Sequence, residues 1–199
     1  MERKVTSRRR GEELEQAILE AVWLEFQEGG FAKLSMEGVA KRAGTSKPVL
    51  YRRWPNRLEM MIACAAHRMP TADSLRDTGS LRDDTIELLT HLRKRMLLIG
   101  SSAILGMLSE ISNDPEGRDL FVKGLVQHLL TLTDVVIDRA VTRGELRPEA
   151  LTERLRRVPI DLARNEFLIT SDLPDAAIHS IVDEVYIPAL QGNGALVTT

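Results

Sequence analysis

Apolar residues recur at a helical period along almost the whole chain, and turn formers cut the pattern into segments. From about Glu12 to Glu28, Leu14, Ile18, Ala21, Val22 and Phe26 fall three or four positions apart, and Gly29-Gly30 ends the run. Trp23 in this helix reads as packing rather than function. Ser35 offers a cap for a short second helix, with Glu37 in its first turn and Val39, Ala40 and Ala43 turned inward. Gly44 stops that helix, because glycine takes the left-handed position after a C-cap without steric cost. Thr45 and Ser46 can cap a third helix, Lys47 to Trp54, in which Pro48 falls in the first turn and loses nothing by lacking an N–H. Leu50 is its buried anchor, with Val49 or Trp54 helping.

A fourth helix is expected from Asn56 to about Met69, and the stretch PTADSLRDTG at 70–79 breaks the chain. Ser80 then caps a helix to Leu98, with Asp83 and Asp84 at its start and Ile86, Leu89, Leu92 or Arg93, and Met96 on its inner face. Gly100 interrupts it. Ala103 to Ser112 is a short, very apolar helix, expected to be buried on most sides. Asp114, Pro115 and Glu116 are cap, first-turn proline and dipole partner for a helix running to Arg143 and stopped by Gly144. Two terminal helices follow, Pro148 to Thr170 with a bend near Pro159, and Pro174 to Leu190.

The fold class that results is all-α. Aromatic residues are only 4% and no β-branched alternation stands out. The expected domains are a flexible basic arm (1–10), a three-helix helix-turn-helix head (11–55), a helical body (56–191) and a frayed tail (192–199). Hydrophobic residues at 43% and charged residues at 28% are an ordinary globular balance. The net charge of −2 conceals an asymmetry: residues 1–60 carry +3 and the remainder −5. Cys64, the single cysteine, excludes an intramolecular disulfide and suits a reducing cytoplasm. Arg8-Arg9-Arg10 is followed by Glu12 and Glu13 rather than an apolar run, so no secretory signal is read. The nearly apolar run Met96 to Leu108 is too short for a membrane span, and no membrane partner is expected.

The third helix has the surface of a polyanion reader. Lys47, Tyr51, Arg52 and Arg53 point outward on about two turns, and Arg57 follows just beyond. Lysine and arginine neutralise phosphates and pair with guanine edges. Tyrosine supplies a hydroxyl for a phosphate or an apolar face for a thymine methyl. Helix, glycine turn and basic helix together make a helix-turn-helix whose second helix is sized for the major groove. A solvated basic helix in an all-α core is the bland alternative; caps, glycine turn and proline in ordered succession argue against it. The five cations of residues 1–10 fit an arm reaching DNA equally well as a solubilising tail.

The stretch GFAKLSMEGVAKRAGTSKPVLYRRWPNRLEM resembles the N-terminal DNA-binding domain of the TetR/AcrR family of bacterial transcriptional regulators. The likeness is carried by Gly30-Phe31, Ser35-Met36, Val39-Ala40, Ala43-Gly44, Ser46-Lys47, Leu50-Tyr51, Trp54 and Asn56-Arg57. It spans roughly residues 12 to 65. By position, the resemblance implies that Ser46, Lys47, Pro48, Tyr51, Arg52 and Arg53 face the groove, and Thr45 completes the expected DNA-binding stretch 45–53. It places Ser35, Met36 and Arg57 near flanking phosphates. Two departures stand out: Gly38 where a better helix former is usual, and Glu25 where the family often has an apolar residue.

The last two helices carry more apolar surface than a small body needs: Leu151, Leu155, Val158, Leu162, Phe167 and Leu168, then Ala177, Ile178, Ile181, Val182, Val185, Tyr186 and Ile187. The excess reads as a homodimer face, two helices from each subunit, with ordinary core as the alternative. The resemblance implies the same dimerisation, and VPIDLARNEFLITSDLPDAAIHSIVDEVYIPAL is more weakly similar to the C-terminal domain of one TetR subgroup. It also implies a small-molecule effector, for which Met96, Met107, Phe121, His128, Arg164, Asn165 and Glu166 are the candidate binding residues. Catalysis finds no support. Cys64 and His67 lack an orienting partner, Glu87 and His91 form only a lone pair, and no Glu-x-x-His pairs, metal set or cofactor motif is present. The expected protein is a cytoplasmic regulator of a palindromic operator, released by its effector. A ligand-independent regulator or activator is the alternative within the class, and a helical ligand-binding or metal-dependent enzyme the one outside it.

Overall fold

The structure, a computed structural model, describes residues 3–112 and 114–197, with side chains from residue 11 onward. All its regular elements are helical. They are α1 (Arg3–Lys33), α2 (Met36–Arg42), α3 (Lys47–Tyr51), α4 (Arg57–His67), α5 (Leu81–Ile99), α6 (Ser101–Ile111), α7 (Pro115–Phe121), α8 (Gln127–Thr142), α9 (Glu153–Thr170), α10 (Asp175–Ser180) and α11 (Ile187–Gly192). Wider π-helical turns at Val122–Val126 and Ile181–Tyr186 carry the chain through from α7 to α8 and from α10 to α11.

The chain divides into two units, and the division is not the one expected at residue 55. One unit holds the residues up to Arg68 together with Gly106–Leu125; the other holds Met69–Leu105 and the residues from Val126 on. The reason lies in α4 and α7. Leu58 and Ile62 of α4 press on the glycines of the 115–125 segment, which ties that segment to the head.

In the first unit, α1 packs on α2 and α4 through Ile18, Val22, Phe26, Val39, Met60 and Met61, all at most 5% exposed. Helix α1 starts at Arg3 instead of Glu12, so the backbone of the expected arm is helical, as a run rich in Arg and Lys favours. The side chains of residues 3–10 lie outside the described residues. The far end of α1 kinks at Gly30, φ 69°. Cys64 is fully buried and its thiol donates to the Leu19 carbonyl at 3.4 Å. Burial pushes its pKa up to about 11. A thiol reagent at pH 8 is therefore expected to leave the folded protein unmodified and to titrate one group after denaturation, as absorbance of the released chromophore would read.

In the second unit α5, α8 and α9 pack together, closed by α10 and α11. Leu81, Thr85, Leu88, Leu89, Leu92 and Met96 line the inner face of α5, with Ile86 only half-buried. The register differs from the apolar reading because Asp84 and Thr85 are themselves buried, at 1% exposure each. Asp84 accepts from the Thr78 N–H and hydroxyl, both at 2.7 Å, and from Arg143 at 2.8 Å. Burial opposes its charge, but those donors outweigh it and hold the carboxyl below its usual range. Arg143 also donates to Asp77 at 2.7 Å and to Glu145 at 2.5 Å, and Glu145 accepts from the Leu81 N–H at 2.7 Å.

Three further expectations are corrected. The tail is ordered to residue 197: Arg147 N–H donates to the Ala195 carbonyl and Val197 N–H to that of Glu145, at 2.8 and 2.9 Å, and Ala195 is fully buried. Residues 198–199 lie outside the described residues. Helix α6 is not buried all round, since Leu105 is 48% exposed. The run from Pro115 to Thr142 is long and apolar enough, by length and composition, to cross a bilayer. Its Leu125, Leu129, Leu132, Val136 and Ile137 are buried within the protein.

Candidate nucleic-acid interface

The head is built from caps and one turn. Ser35 Oγ accepts from the Gly38 N–H at 3.1 Å and starts α2. Gly44, at φ 62°, ends it: its own N–H reaches the Lys41 carbonyl at 3.3 Å and that of Thr45 the Ala40 carbonyl at 2.9 Å. Helix α3 then runs only from Lys47 to Tyr51, three residues short of the expected Trp54. Pro55 forces the residue before it out of the helical region, so Arg52 and Arg53 make a tight turn in which the Trp54 N–H bonds the Leu50 carbonyl at 2.8 Å. Asn56 caps α4 reciprocally, accepting from the Glu59 N–H at 2.9 Å and donating to its carboxylate at 3.1 Å.

Leu50 and Trp54 anchor α3, and Ser46, Lys47, Pro48, Tyr51 and Arg52 stand exposed on its outer side, with Thr45 half-buried. Lys47 and Tyr51 border an open hollow of about 430 Å³ that Ser35 and Arg57 also line. Three expected contact residues are placed otherwise. Met36 is 8% exposed and belongs to the core. Arg53 is half-buried and reaches Glu15 of α1 at 3.4 Å. Arg57 donates to Glu110 at 2.9 and 3.3 Å and to the Ala32 carbonyl at 3.3 Å, and its guanidinium stacks 5.1 Å from the Phe31 ring centroid. Arg53 and Arg57 brace the head.

The electrostatics of this face were not visible in the spacing. Lys47 donates to Glu37 at 2.6 Å, which holds the Glu37 carboxyl below and the Lys47 ammonium above their ordinary ranges. Of the four cations Lys47, Arg52, Arg53 and Arg57, Arg52 alone has no carboxylate partner among the described residues. Glu15, Glu37 and Glu110 were missed as partners because two of them lie 38 and 53 positions from their arginines.

The two departures, Gly38 and Glu25, account for each other. A Cβ at residue 38 would lie 2.5 Å from the Glu25 carboxylate, which is held there by Arg42 at 2.8 Å. Glycine on α2 makes the room that an acidic residue on α1 requires.

Residues 18–64 match the family described as bacterial regulatory proteins, tetR family, and residues 75–185 match the tetracyclin repressor-like C-terminal domain. The HTH-type transcriptional regulator Rv1556 of Mycobacterium tuberculosis, itself described as uncharacterized, is 30% identical over 82% of this chain and 81% of its own. The chain belongs to the TetR family. It is a DNA-binding transcriptional regulator, with its helix-turn-helix at α2–α3. The DNA-binding transcriptional repressor TetR of Mycobacteroides abscessus is 28% identical over 89% of this chain and 94% of its own. The fold is shared with the crystal structure of the TetR-family regulator SCO0332 (TM-score 0.75, 20% identity, 88% and 97% of the two chains). It is also shared with FadR of Bacillus subtilis in complex with stearoyl-CoA (TM-score 0.58, 13% identity, 85% and 98%).

The candidate effector residues of this TetR-family chain are not gathered into one site within either unit. Met107 and Phe121 are core residues of the first unit; Met96 is core in the second. His128 Nε2 lies 2.9 Å from the Pro70 carbonyl. On α9, Arg164 donates to Asp161 at 2.9 Å, Glu166 is half-buried and Asn165 is exposed, opposite the buried Ile160, Ala163 and Phe167. The mixed Arg-Asn-Glu stretch lies on the outer side of the helix because the apolar stripe beside it faces in.

Proposed function

We propose that this TetR-family regulator binds a palindromic operator as a cytoplasmic homodimer, represses transcription by occluding the promoter, and is released by a small-molecule effector. The observation that carries the reading is the outer side of α3, where Ser46, Lys47, Pro48, Tyr51 and Arg52 stand exposed on a rigid, doubly capped head. One small head makes few phosphate contacts, and its binding is weak and salt-sensitive; two heads on a two-fold axis double the footprint and select a palindrome.

The second unit supplies a surface for that axis. Phe167, Ile178, Val182 and Tyr186, counted above toward the dimer face, are internal core at no more than 1% exposure. What remains outside on α9 is the stripe Leu155, Val158, Leu162, Asn165 and Ile169, at alternating spacings of three and four. Leu162 is 37% and Ile169 78% exposed, and Val185 is 42% exposed. That is the spacing of a helix–helix seam, and a polar residue within it fixes register. Leu162→Glu with Ile169→Glu is expected to convert the dimer to a monomer of unchanged helicity, read by sedimentation velocity and circular dichroism. A wild-type chain that sediments as a monomer would overturn the reading. Effector release is supported by the shared fold: FadR of Bacillus subtilis was solved holding stearoyl-CoA.

Selecting duplexes from a fully randomised library with the purified chain tests the operator. An inverted-repeat consensus is expected, and a pool with no consensus would refute the proposal.

A further inference from the structure

Lys47 opens α3 and Glu37 lies in the first turn of α2, yet their side chains meet at 2.6 Å. Both remain open to solvent, at 48% and 75% exposure, so no packing enforces the pair. They line the same hollow as Tyr51. The leading edge of the reading face is therefore a donor beside an acceptor. In the major groove a G·C pair presents the reverse: guanine O6 and N7 accept, and the cytosine N4 amine donates.

We propose that Glu37 is a specificity-determining residue. With Lys47 it reads one G·C pair in each half-site, Glu37 accepting from cytosine N4 and Lys47 donating to guanine O6 or N7. An A·T pair also offers two acceptors and a donor, but its N6 amine stands between adenine N7 and thymine O4, whereas guanine N7 and O6 lie side by side for one ammonium and leave the cytosine N4 amine beside them for the carboxylate. The carboxylate discriminates by repulsion as well. Where the groove offers no amine, or where the head faces only phosphates, Glu37 brings a negative charge against a polyanion and keeps Lys47 occupied. This rests on the placement of α3 in the groove.

The test compares duplexes selected from a randomised library by the wild-type chain, Glu37→Gln and Glu37→Ala at one salt concentration. Binding to random-sequence duplex is followed alongside by fluorescence anisotropy. The wild-type consensus is expected to carry a C·G pair at one position of each half-site. Glu37→Gln moves that position toward A·T, since an amide pairs with adenine N6 and N7. Glu37→Ala loses the preference there, binds random duplex several-fold more tightly, and steepens the salt dependence by about one unit per head as Lys47 is freed for a phosphate. A consensus unchanged in both variants, whatever their affinity, overturns the inference. A wild-type pool lacking any consensus overturns the interface reading itself. Both variants should lower the thermal melt only slightly, because the Glu37 side chain is exposed and its charge acts only on the first turn of α2.

Discussion

Arg52→Ala is expected to weaken binding to the selected operator by at least about 30-fold while leaving the fold untouched. Arg52 is exposed and has no carboxylate partner among the described residues, so its removal takes nothing from the head. A well-formed arginine–base contact contributes about 1–3 kcal/mol, and a two-fold complex loses it twice, roughly 2–6 kcal/mol in all. Tyr51→Ala, at a side chain 50% exposed, should act in the same direction through the lost hydroxyl and ring face. Arg53→Ala is the informative contrast. Arg53 is half-buried against Glu15, so its loss should lower the melting temperature of the head more than it changes operator preference. Gel shifts on operator and scrambled duplex at one salt concentration, beside thermal melts, separate the outcomes. Equal affinity of Arg52→Ala and wild type for the operator would remove α3 from the groove.

These assignments show which interactions leave a mark in the sequence. Caps and stops act over three or four residues, so Ser35, Gly44, Ser80, Asp114 and Gly144 were legible as such and the structure uses each as expected, whereas Ser46, expected to help cap α3, makes no side-chain cap bond. The order of helices and the outward set Ser46, Lys47, Pro48, Tyr51 and Arg52 follow from them. Long side chains are different. Arg53 and Arg57 look identical to Arg52 in the sequence, and only tertiary structure brings Glu15 and Glu110 to them. Apolar count is similarly ambiguous: Phe167 and Leu162 both read as excess surface, yet one is core and the other 37% exposed. A helical period fixes which residues share a face, but whether that face meets its own chain or another requires coordinates. The ordered 193–197 segment was invisible because its partners, Glu145 and Arg147, lie about fifty residues upstream.

The same blindness hid the site with the largest expected effect on stability. Arg143 joins Asp77, Asp84 and Glu145, and so ties the end of α8 to the start of α5 and to the loop before it. Arg143→Met keeps the aliphatic stem and removes the charge, leaving the Asp84 carboxylate buried without its cation. Breaking a buried pair this way costs about 3–5 kcal/mol, and the lower figure applies because 22% of the Arg143 side chain is exposed. For a chain of this length about 3 kcal/mol corresponds to a fall of roughly 6–12 °C in Tm. The pH dependence carries the sign. In the wild type the folded Asp84 carboxyl titrates below its unfolded value, so its contribution is present above about pH 4 and fades as pH falls through the folded pKa. Without Arg143 the burial that opposes the charge is no longer outweighed by the full set of donors, and protonation relieves the strain. The deficit of Arg143→Met relative to wild type should therefore be greatest at neutral pH and narrow below about pH 4. Asp84→Asn in the Arg143→Met background should recover part of the loss at pH 7, and denaturant titrations of the two single variants and the double give the coupling directly. Additive losses at pH 7 would mean that the two side chains act independently, and the network would not be what holds α5, α8 and the 70–79 loop together.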